Sequence, residues 1–333
     1  MRNKKMMPVF IGVVAVLLII LGVVIGVSIA KEDGDKEPTQ DVYLPTESEE
    51  VAQHPMYDRN IETVLIMGVD SRENILGKGS YSDSVIAVVF NHDAKTVKVA
   101  SLLRDCMVEI EGYGLKKLNH ANYYGGPELA VDTVNANFDL NVSEYVQVNF
   151  GNLVEVVDSI GGVEITLTQV ECERLGFERF TKPGTYVLNG KEALAYSRLR
   201  KLAGEDRARS ERQRNVLFAL FEKTKKLSTE DSVALVEEML DQIDTSYRSE
   251  EVTELLYCIS RYKITGMEAF PLVYFDGTVK DEWYEVPTTL IDMNTALHAF
   301  LYDYEEYQPS EAVQKQSAIL QDIASEPNKD YSN

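Results

Sequence analysis

The chain of 333 residues has few of the side chains from which disulfide frameworks and soft-metal clusters are built. It has three cysteines and four histidines, and none of them stands in a CxxC or similar metal-ligand spacing. An odd cysteine count argues against an obligate disulfide framework, and the sequence does not decide whether two of the three pair. Cationic charge is also scarce, because 33 Lys and Arg stand against 54 Asp and Glu, for a net charge of −21. We therefore expect no nucleic-acid partner, since such binding relies on bulk positive charge.

The cationic charge that is present concentrates in one segment, residues 198–214. Its seven cationic side chains are Arg198, Arg200, Lys201, Arg207, Arg209, Arg212 and Arg214. Guanidinium groups match phosphate oxygens with paired hydrogen bonds. In so acidic a chain, this segment predicts a local pocket for one small and highly charged anion.

A long apolar run lies near the N-terminus. Residues 8–30 carry no charge, and a helix of this length crosses a hydrocarbon core of about 30 Å. Basic residues precede the run and acidic ones follow it, so the positive-inside rule places residues 1–7 in the cytoplasm and the rest outside. A cleaved signal peptide is the alternative, but its apolar core is only roughly 7–15 residues long. We predict a single-pass membrane anchor, and a phosphate group carried on a lipid as the first ligand to consider.

After the anchor, the chain is predicted to divide into three parts. Residues 31–56 form an acidic linker, residues 57–305 an extracytoplasmic domain, and residues 306–333 a polar tail with one short helix near 311–323. Within the domain, short runs rich in Val and Ile predict strands, and segments with helical spacing alternate with them. This alternation predicts the α/β class, as a layered α-β-α sandwich with a central mixed sheet, behind a single transmembrane helix.

Acidic and basic side chains stand at the ends of the first three predicted strands, which cover residues 63–69, 85–90 and 97–103. Asp70 closes the first strand and Asp83 precedes the second. If these strands pair antiparallel, both carboxylates lie at one sheet edge, where they could hold Mg²⁺ together with phosphate oxygens and water. The alternative is ordinary turn chemistry. Arg104 closes the third strand beside Asp105, either aimed at the same edge or paired with its neighbour at the surface.

The cationic segment continues into a helix predicted for residues 209–227. One helical face carries Arg209, Arg212 and Gln213, followed by Val216 and Leu220. Such a stripe suits an anionic head with a hydrocarbon tail, although a solvated cationic start on a core-facing helix gives the same pattern. If residues 196–200 are extended, Arg198 and Arg200 point the same way.

A series of short motifs in a fixed order resembles the LytR-CpsA-Psr family, the membrane-anchored enzymes that attach anionic glycopolymers to bacterial cell walls. The motifs that carry the resemblance are Val64–Arg72, Ser82-Asp83-Ser84, Ser101–Asp105, Lys117–Ala121, Tyr124-Gly125-Gly126, Val157–Val163, Leu188-Asn189-Gly190, Ala193–Arg200, and Asp206, Arg209, Arg212 and Gln213. Leu103 stands where the family usually has proline, and Cys106 where threonine is common. These two departures bear on local backbone geometry and packing.

The resemblance implies roles for particular residues. It implies Mg²⁺ or Mn²⁺ held by Asp70 and Asp83. It also implies a pyrophosphate grip formed by Arg72, Arg104, Arg198, Arg200, Arg209 and Gln213. Arg104, Arg198, Arg200 and Asp105 are the expected catalytic residues. Val216 and Leu220 are expected to line a pocket for the polyprenyl tail.

The function implied by the resemblance is that of a membrane-anchored phosphotransferase in a Gram-positive-type cell envelope. It would move an anionic glycopolymer from a polyprenyl-pyrophosphate carrier to a sugar hydroxyl of peptidoglycan and form a phosphodiester. Two alternatives remain at this stage: a hydrolase of the same lipid-linked glycan, and a non-catalytic module that binds or senses it. Asp70 and Asp105 are candidates for the general base. The polymer could be a teichoic acid, a capsule or another wall glycan.

Overall fold

The computed structural model describes residues 54–69, 76–149, 153–199, 205–224, 243–247, 262–279 and 281–325. The predicted anchor at residues 8–30 and nearly all of the predicted linker lie outside these ranges. In the part of the chain that is described, no helix has both the length and the apolar character that a membrane span requires.

The described strands are β1 (Ile61–Val69), β2 (Ser82–Asn91), β3 (Thr96–Leu102), β4 (Met107–Ile110), β5 (Gly114–Lys117), β6 (Val142–Asn149), β7 (Val163–Leu167), β8 (Gly184–Leu188), β9 (Ile243–Thr245), β10 (Lys263–Phe270), β11 (Tyr274–Val279) and β12 (Glu282–Pro287). The described helices are α1 (Asn119–Phe138), α2 (Leu153–Ser159), α3 (Gln169–Leu175), α4 (Gly190–Ser197), α5 (Glu205–Thr224), α6 (Leu290–Tyr302) and α7 (Glu311–Ser325). A 3₁₀ turn at Pro55–Tyr57 precedes β1.

The central sheet has the strand order β10-β3-β2-β1-β6-β9. Strand β2 runs antiparallel to β1 and β3, whereas β6 runs parallel to β1 and β10 parallel to β3. The carboxyl ends of β1, β3, β6 and β10 therefore lie at one edge of the sheet, together with the amino end of β2. We call this the active edge. The prediction of an α/β fold with a central mixed sheet is confirmed.

The sheet buries apolar side chains on both faces, because successive residues of a strand point to opposite sides. In β1, Val64 and Ile66 belong to one core cluster, whereas Leu65 and Met67 belong to the other. The first cluster includes apolar residues of α2, α4, α5 and the β7–β8 hairpin. The second includes residues of α1, α6, α7 and β4. Burial on both faces explains why these strands are continuous apolar runs in the sequence.

Helix α1 begins at Asn119 and is interrupted at Gly126, whose φ of 81° and ψ of −169° are non-helical, so its second part begins at Pro127. Glycine adopts this conformation without a Cβ clash. The extended conformation considered for residues 196–200 is not observed where the segment is described, since α4 continues through Ser197 and Arg198 caps its end.

The two ends of the described chain pack into the same body. Helix α7 lies where the short C-terminal helix was predicted, and its Val313, Leu320 and Ile323 are buried in the second core cluster. At the other end, His54 is 5% exposed, and its Nε2 lies 2.8 Å from Nδ1 of His298 in α6. The predicted limits of the domain, 57 and 305, stay predictions.

Candidate active site at the sheet edge

A β-bulge presents the carboxylate of Asp83 at the active edge. Gly68 pairs with Ser84 and Val69 with Ser82, so Asp83 is the extra residue between the two pairings. Bulges turn a side chain away from the regular alternation and occur often beside active sites. The Asp83 side chain is 32% exposed, whereas Ser82 and Ser84 are buried.

Charged side chains of alternating sign continue from Asp83 along the edge. Arg104, just after β3, donates from Nη1 to Oδ1 of Asp83 and from Nε to Oδ2 of Asp105, the second contact at 3.1 Å. The Lys117 ammonium lies 3.4 Å from Oδ1 of Asp105 and 3.5 Å from Oε1 of Glu282. We call these five residues the charged chain. They come from four segments of sequence, so only the folded sheet edge brings them together.

A cavity of about 420 Å³ opens at the charged chain. Its wall is formed by Gly79, Ser80, Tyr81, Asp83, Arg104, Asp105, Lys117, Asn119 and His120. The volume falls in the range of roughly 300–1,000 Å³ that is common for small-molecule sites. Charged and polar side chains dominate this wall, so it suits an anionic or hydroxyl-rich ligand better than a hydrocarbon.

His120 packs between tyrosines at the cavity. Its ring centroid lies 5.1 Å from that of Tyr81 and 5.7 Å from that of Tyr124. Burial holds the pKa of His120 below its ordinary value, against the opposing effect of Glu282, so the imidazole is neutral at neutral pH. The sequence interpretation missed Lys117, His120 and Tyr81 as cavity residues. The signal for the first two was the motif at residues 117–121, which the resemblance matched without assigning roles.

The donor chemistry at the active edge fits a hard divalent cation. Mg²⁺ is typically held by one or two carboxylates, with waters and substrate phosphates completing the shell. Asp83 offers one partly exposed carboxylate, and Val69, which precedes Asp70, pairs with Ser82. Asp70 itself lies outside the described residues. Within those residues, no group of three or more His, Cys, Asp and Glu side chains could hold a metal ion.

The cationic segment separates into residues with different surroundings. Arg198 is exposed at the end of α4, and Gln213 is partly exposed on α5. Arg209 is 5% exposed and Arg212 is 7% exposed. Arg212 donates from Nε to Oε1 of Glu171 at 2.8 Å, which makes it part of a buried ion pair. Arg200 of this segment and the predicted site residue Arg72 lie outside the described residues.

Glu171 completes this ion pair and, as the third residue of α3, forms a capping box with Thr168. Burial works against its charge, but the Thr168 amide and the Arg212 guanidinium together hold the pKa of Glu171 below its ordinary value. Val216 and Leu220 lie farther along α5, with exposed fractions of 2% and 0% in the first core cluster. Of the predicted site residues, Asp83 and Asp105 are thus both in direct contact with Arg104. The structure places α5 on the first face of the sheet, whereas α1 packs on the second.

Comparison with protein families gives a match to the LytR_cpsA_psr family over residues 24–298. The chain is 34% identical over 238 residues to the polyisoprenyl-teichoic acid–peptidoglycan teichoic acid transferase TagT of Bacillus subtilis, covering 68% of this chain and 73% of that protein. It is 31% identical over 252 residues to the enzyme of the same description, TagU, from Enterococcus faecalis, covering 75% and 80%.

Solved structures share the same fold. TagT bound to LI-WTA superposes with a TM-score of 0.57 at 26% identity, over 80% of this chain and 91% of that one. The family protein YwtF (TagT) with bound octaprenyl pyrophosphate lipid superposes with a TM-score of 0.56 at 28% identity, over 73% and 90%. The protein therefore shares its fold with relatives whose bound ligands are named.

Proposed function

The chain belongs to the LytR-CpsA-Psr family, and on that premise we propose that it is a membrane-anchored glycopolymer–peptidoglycan phosphotransferase. Its donor would be an anionic glycopolymer on a polyprenyl-pyrophosphate carrier, and its acceptor a sugar hydroxyl of peptidoglycan. The observation that carries this proposal is the charged chain of five side chains beside an open cavity. Relatives of the protein are named as teichoic acid transferases. Residues 8–30 would anchor the enzyme, with the catalytic domain outside the cytoplasm.

The site would bind the charged pyrophosphate and the apolar tail of the donor with different side chains. Arg104, together with Arg72, Arg198, Arg200, Arg209 and Gln213, would hold the pyrophosphate oxygens through charge-assisted hydrogen bonds. Val216 and Leu220 would meet the polyprenyl tail, since they continue the same helix into apolar surroundings. For Arg104 this means exchanging part of its contact with Asp83 and Asp105 for phosphate oxygens, which its partial exposure allows.

Phosphoryl transfer needs positioning and charge stabilisation more than covalent help from the protein. The acceptor hydroxyl oxygen attacks the phosphorus that carries the glycan, and the anhydride P–O bond to the polyprenyl phosphate breaks. The polyprenyl phosphate leaves with the bonding electrons, and Arg104 stabilises the developing charge. The hydroxyl proton passes to a carboxylate, for which we propose Asp105, held in place by Arg104 and Lys117. The product is a sugar phosphodiester.

A divalent cation, Mg²⁺ or Mn²⁺, would be held by Asp83 with Asp70, and when bound it would neutralise charge on the phosphate oxygens. This assignment has its own test. Turnover of the purified protein should stop on removal of divalent ions by a chelator and return on addition of Mg²⁺. Asp83→Asn should raise the Mg²⁺ concentration that gives half-maximal rate, and an unchanged Mg²⁺ dependence would remove Asp83 from the metal site.

The activity itself is tested with the full-length protein in detergent, a polyprenyl-pyrophosphate glycan and a peptidoglycan acceptor. We expect a wall-linked phosphodiester and free polyprenyl phosphate. Asp83→Asn and Arg198→Ala should each lower turnover by roughly 10²–10³-fold, the usual cost of removing one group that stabilises transition-state charge. Asp93→Asn is the matched control, because Asp93 is an exposed residue of the turn at the opposite end of β2.

The products decide between the proposal and its alternatives. A free phosphorylated glycan in place of the phosphodiester would indicate hydrolysis. Tight binding of the lipid-linked glycan without any product would indicate a binding module.

A further inference from the structure

Four tyrosines and one histidine form an aromatic surface on one side of the cavity. We call it the aromatic platform, and it consists of Tyr81, Tyr113, Tyr123, Tyr124 and His120. The rings of Tyr81 and Tyr123 stack with centroids 4.5 Å apart and planes 9° from parallel. The rings of Tyr113 and Tyr124 stack at 4.2 Å and 3°. The two stacked pairs meet where Tyr123 and Tyr124 contact each other edge to face at 5.7 Å.

Helix α1 organises the platform. His120, Tyr123 and Tyr124 occupy positions i, i+3 and i+4, which share one face of a helix. Tyr81 reaches this face from the loop before β2, and Tyr113 from the turn between β4 and β5.

The loop before β2 is tied to the helix by hydrogen bonds. The Gly79 amide donates to the Tyr123 carbonyl at 3.1 Å, and Nδ2 of Asn122 donates to the Ser80 carbonyl at 2.7 Å. The platform is therefore held in place before any ligand arrives, and preorganisation of this kind lowers the entropic cost of binding.

The platform keeps apolar ring surface in contact with water. Tyr81, Tyr113 and Tyr123 have exposed fractions of 44%, 45% and 39%. Single exposed tyrosines need no special explanation, but a contiguous aromatic surface beside a polar cavity is typical of a binding site. Tyr81 and His120 also line the cavity of about 420 Å³, so a ligand on the platform would continue directly into the site.

The chemistry of the platform and its neighbours fits a sugar ring. The faces of an aromatic ring carry partial negative charge, and they attract the C–H groups on the flat face of a pyranose. Sugar hydroxyl groups at the ring edge need hydrogen-bond partners, which Lys117, Asn119 and Glu282 offer beside the platform. A polyprenyl chain has no group that could hydrogen-bond to these side chains.

The position of the platform favours the acceptor glycan over the lipid as its ligand. Helix α1 packs on the second face of the sheet, whereas α5, with the proposed lipid-contacting residues Val216 and Leu220, packs on the first. In phosphoryl transfer, the attacking and leaving oxygens lie roughly in line on opposite sides of the phosphorus. With the polyprenyl phosphate leaving toward α5, the attacking hydroxyl comes from the side of α1.

From this geometry we propose that the aromatic platform is the subsite for the acceptor glycan, a peptidoglycan strand whose sugar rings stack on Tyr81 and Tyr123. This inference rests on the proposed function and adds a location for the acceptor. The tyrosines act as binding and positioning residues, with the charged chain left to the chemistry.

The test measures KM separately for donor and acceptor with the full-length protein and soluble, uncross-linked peptidoglycan strands. Tyr123→Leu and Tyr81→Leu should raise the acceptor KM about tenfold, the size expected for a lost aromatic stacking contact, and leave the donor KM unchanged. Tyr123→Phe keeps the ring and should restore most of the affinity lost in Tyr123→Leu. Phe218→Leu serves as the matched control, because Phe218 is an exposed aromatic residue of α5 outside the platform.

A binding measurement without donor keeps this inference separate from the proposed function. Wild-type protein should bind the glycan strands alone, and Tyr123→Leu should bind them about tenfold more weakly. Glycan binding that depends on Tyr123, with no transfer product, would support the platform and overturn the phosphotransferase. Transfer by the wild type with an unchanged acceptor KM in both leucine variants would overturn the platform alone. A rise in donor KM instead would assign the platform to the donor glycan and contradict the acceptor subsite.

Discussion

Arg104 at the cavity and Arg212 in the body of the domain make the same kind of contact in different surroundings. Arg104 contacts Asp83 and Asp105, and its side chain is 18% exposed beside an open cavity. Arg212 contacts Glu171, and the two side chains are 8% and 10% exposed. The Arg104 guanidinium can exchange a carboxylate for a phosphate because Lys117 remains beside Asp105, whereas moving the Arg212 guanidinium would leave Glu171 buried without its cation. Arginine content alone therefore overstates the size of a phosphate site.

Removal of the buried arginine should have the largest effect on stability. Arg212→Ala should lower the free energy of unfolding by about 3–5 kcal/mol, because it leaves the Glu171 carboxylate buried without its cation. Arg104→Ala should cost less, because Lys117 stays 3.4 Å from Asp105 and the Asp83 side chain is 32% exposed, so neither carboxylate is left buried without a cation. Urea unfolding of both variants measures the difference. Equal losses of unfolding free energy in the two variants would show that the cavity and the body of the domain do not differ in this respect.

The buried histidines should make the free energy of unfolding depend on pH more strongly than the histidine at the cavity does. Burial lowers the pKa of His298 to about 4, against the opposing Phe138 carbonyl bond, and burial followed by His298 lowers the pKa of His54 to about 3. Both histidines stay neutral in the fold at pH values where the unfolded chain takes up protons. Stability should therefore be lost as pH falls from about 6.5 to about 4, by up to about 3 kcal/mol for His298.

Unfolding curves at pH 7, 5.5 and 4.5 measure this dependence. His298→Gln should flatten it, whereas His120→Gln, at the partly exposed cavity wall, should change it less. An unaltered slope in the His298 variant would show that other groups carry the pH effect.

The smallest effect is expected at an exposed ion pair. Lys98 Nζ lies 2.6 Å from Oδ1 of Asp303, whose side chain is 84% exposed. Asp303→Asn should change the free energy of unfolding by less than about 1 kcal/mol, since asparagine also tolerates the positive φ of 55° at this position. A loss as large as that of Arg212→Ala would mean that exposure is a poor guide to the strength of these contacts.

The sequence predicted those parts of the fold whose signal is local. The runs at residues 63–69, 85–90 and 97–103 became the three neighbouring strands β1, β2 and β3 because burial on both faces demands continuous apolar residues. The extended conformation considered for residues 196–200 does not form where the segment is described, because α4 continues through Ser197. The residue pattern alone does not distinguish a strand from the end of a helix over so few residues.

The sequence by itself determined the α/β class, the family and the identities of Asp83, Arg104 and Asp105 as candidates, because these depend on residue type and order along the chain. Only the tertiary structure decided that Lys117 and Glu282 complete the charged chain, that Arg212 is committed to Glu171, and that tyrosines converge on α1. Such assignments depend on burial and on contacts between residues far apart in sequence. Both are properties of the folded sheet and its packed helices.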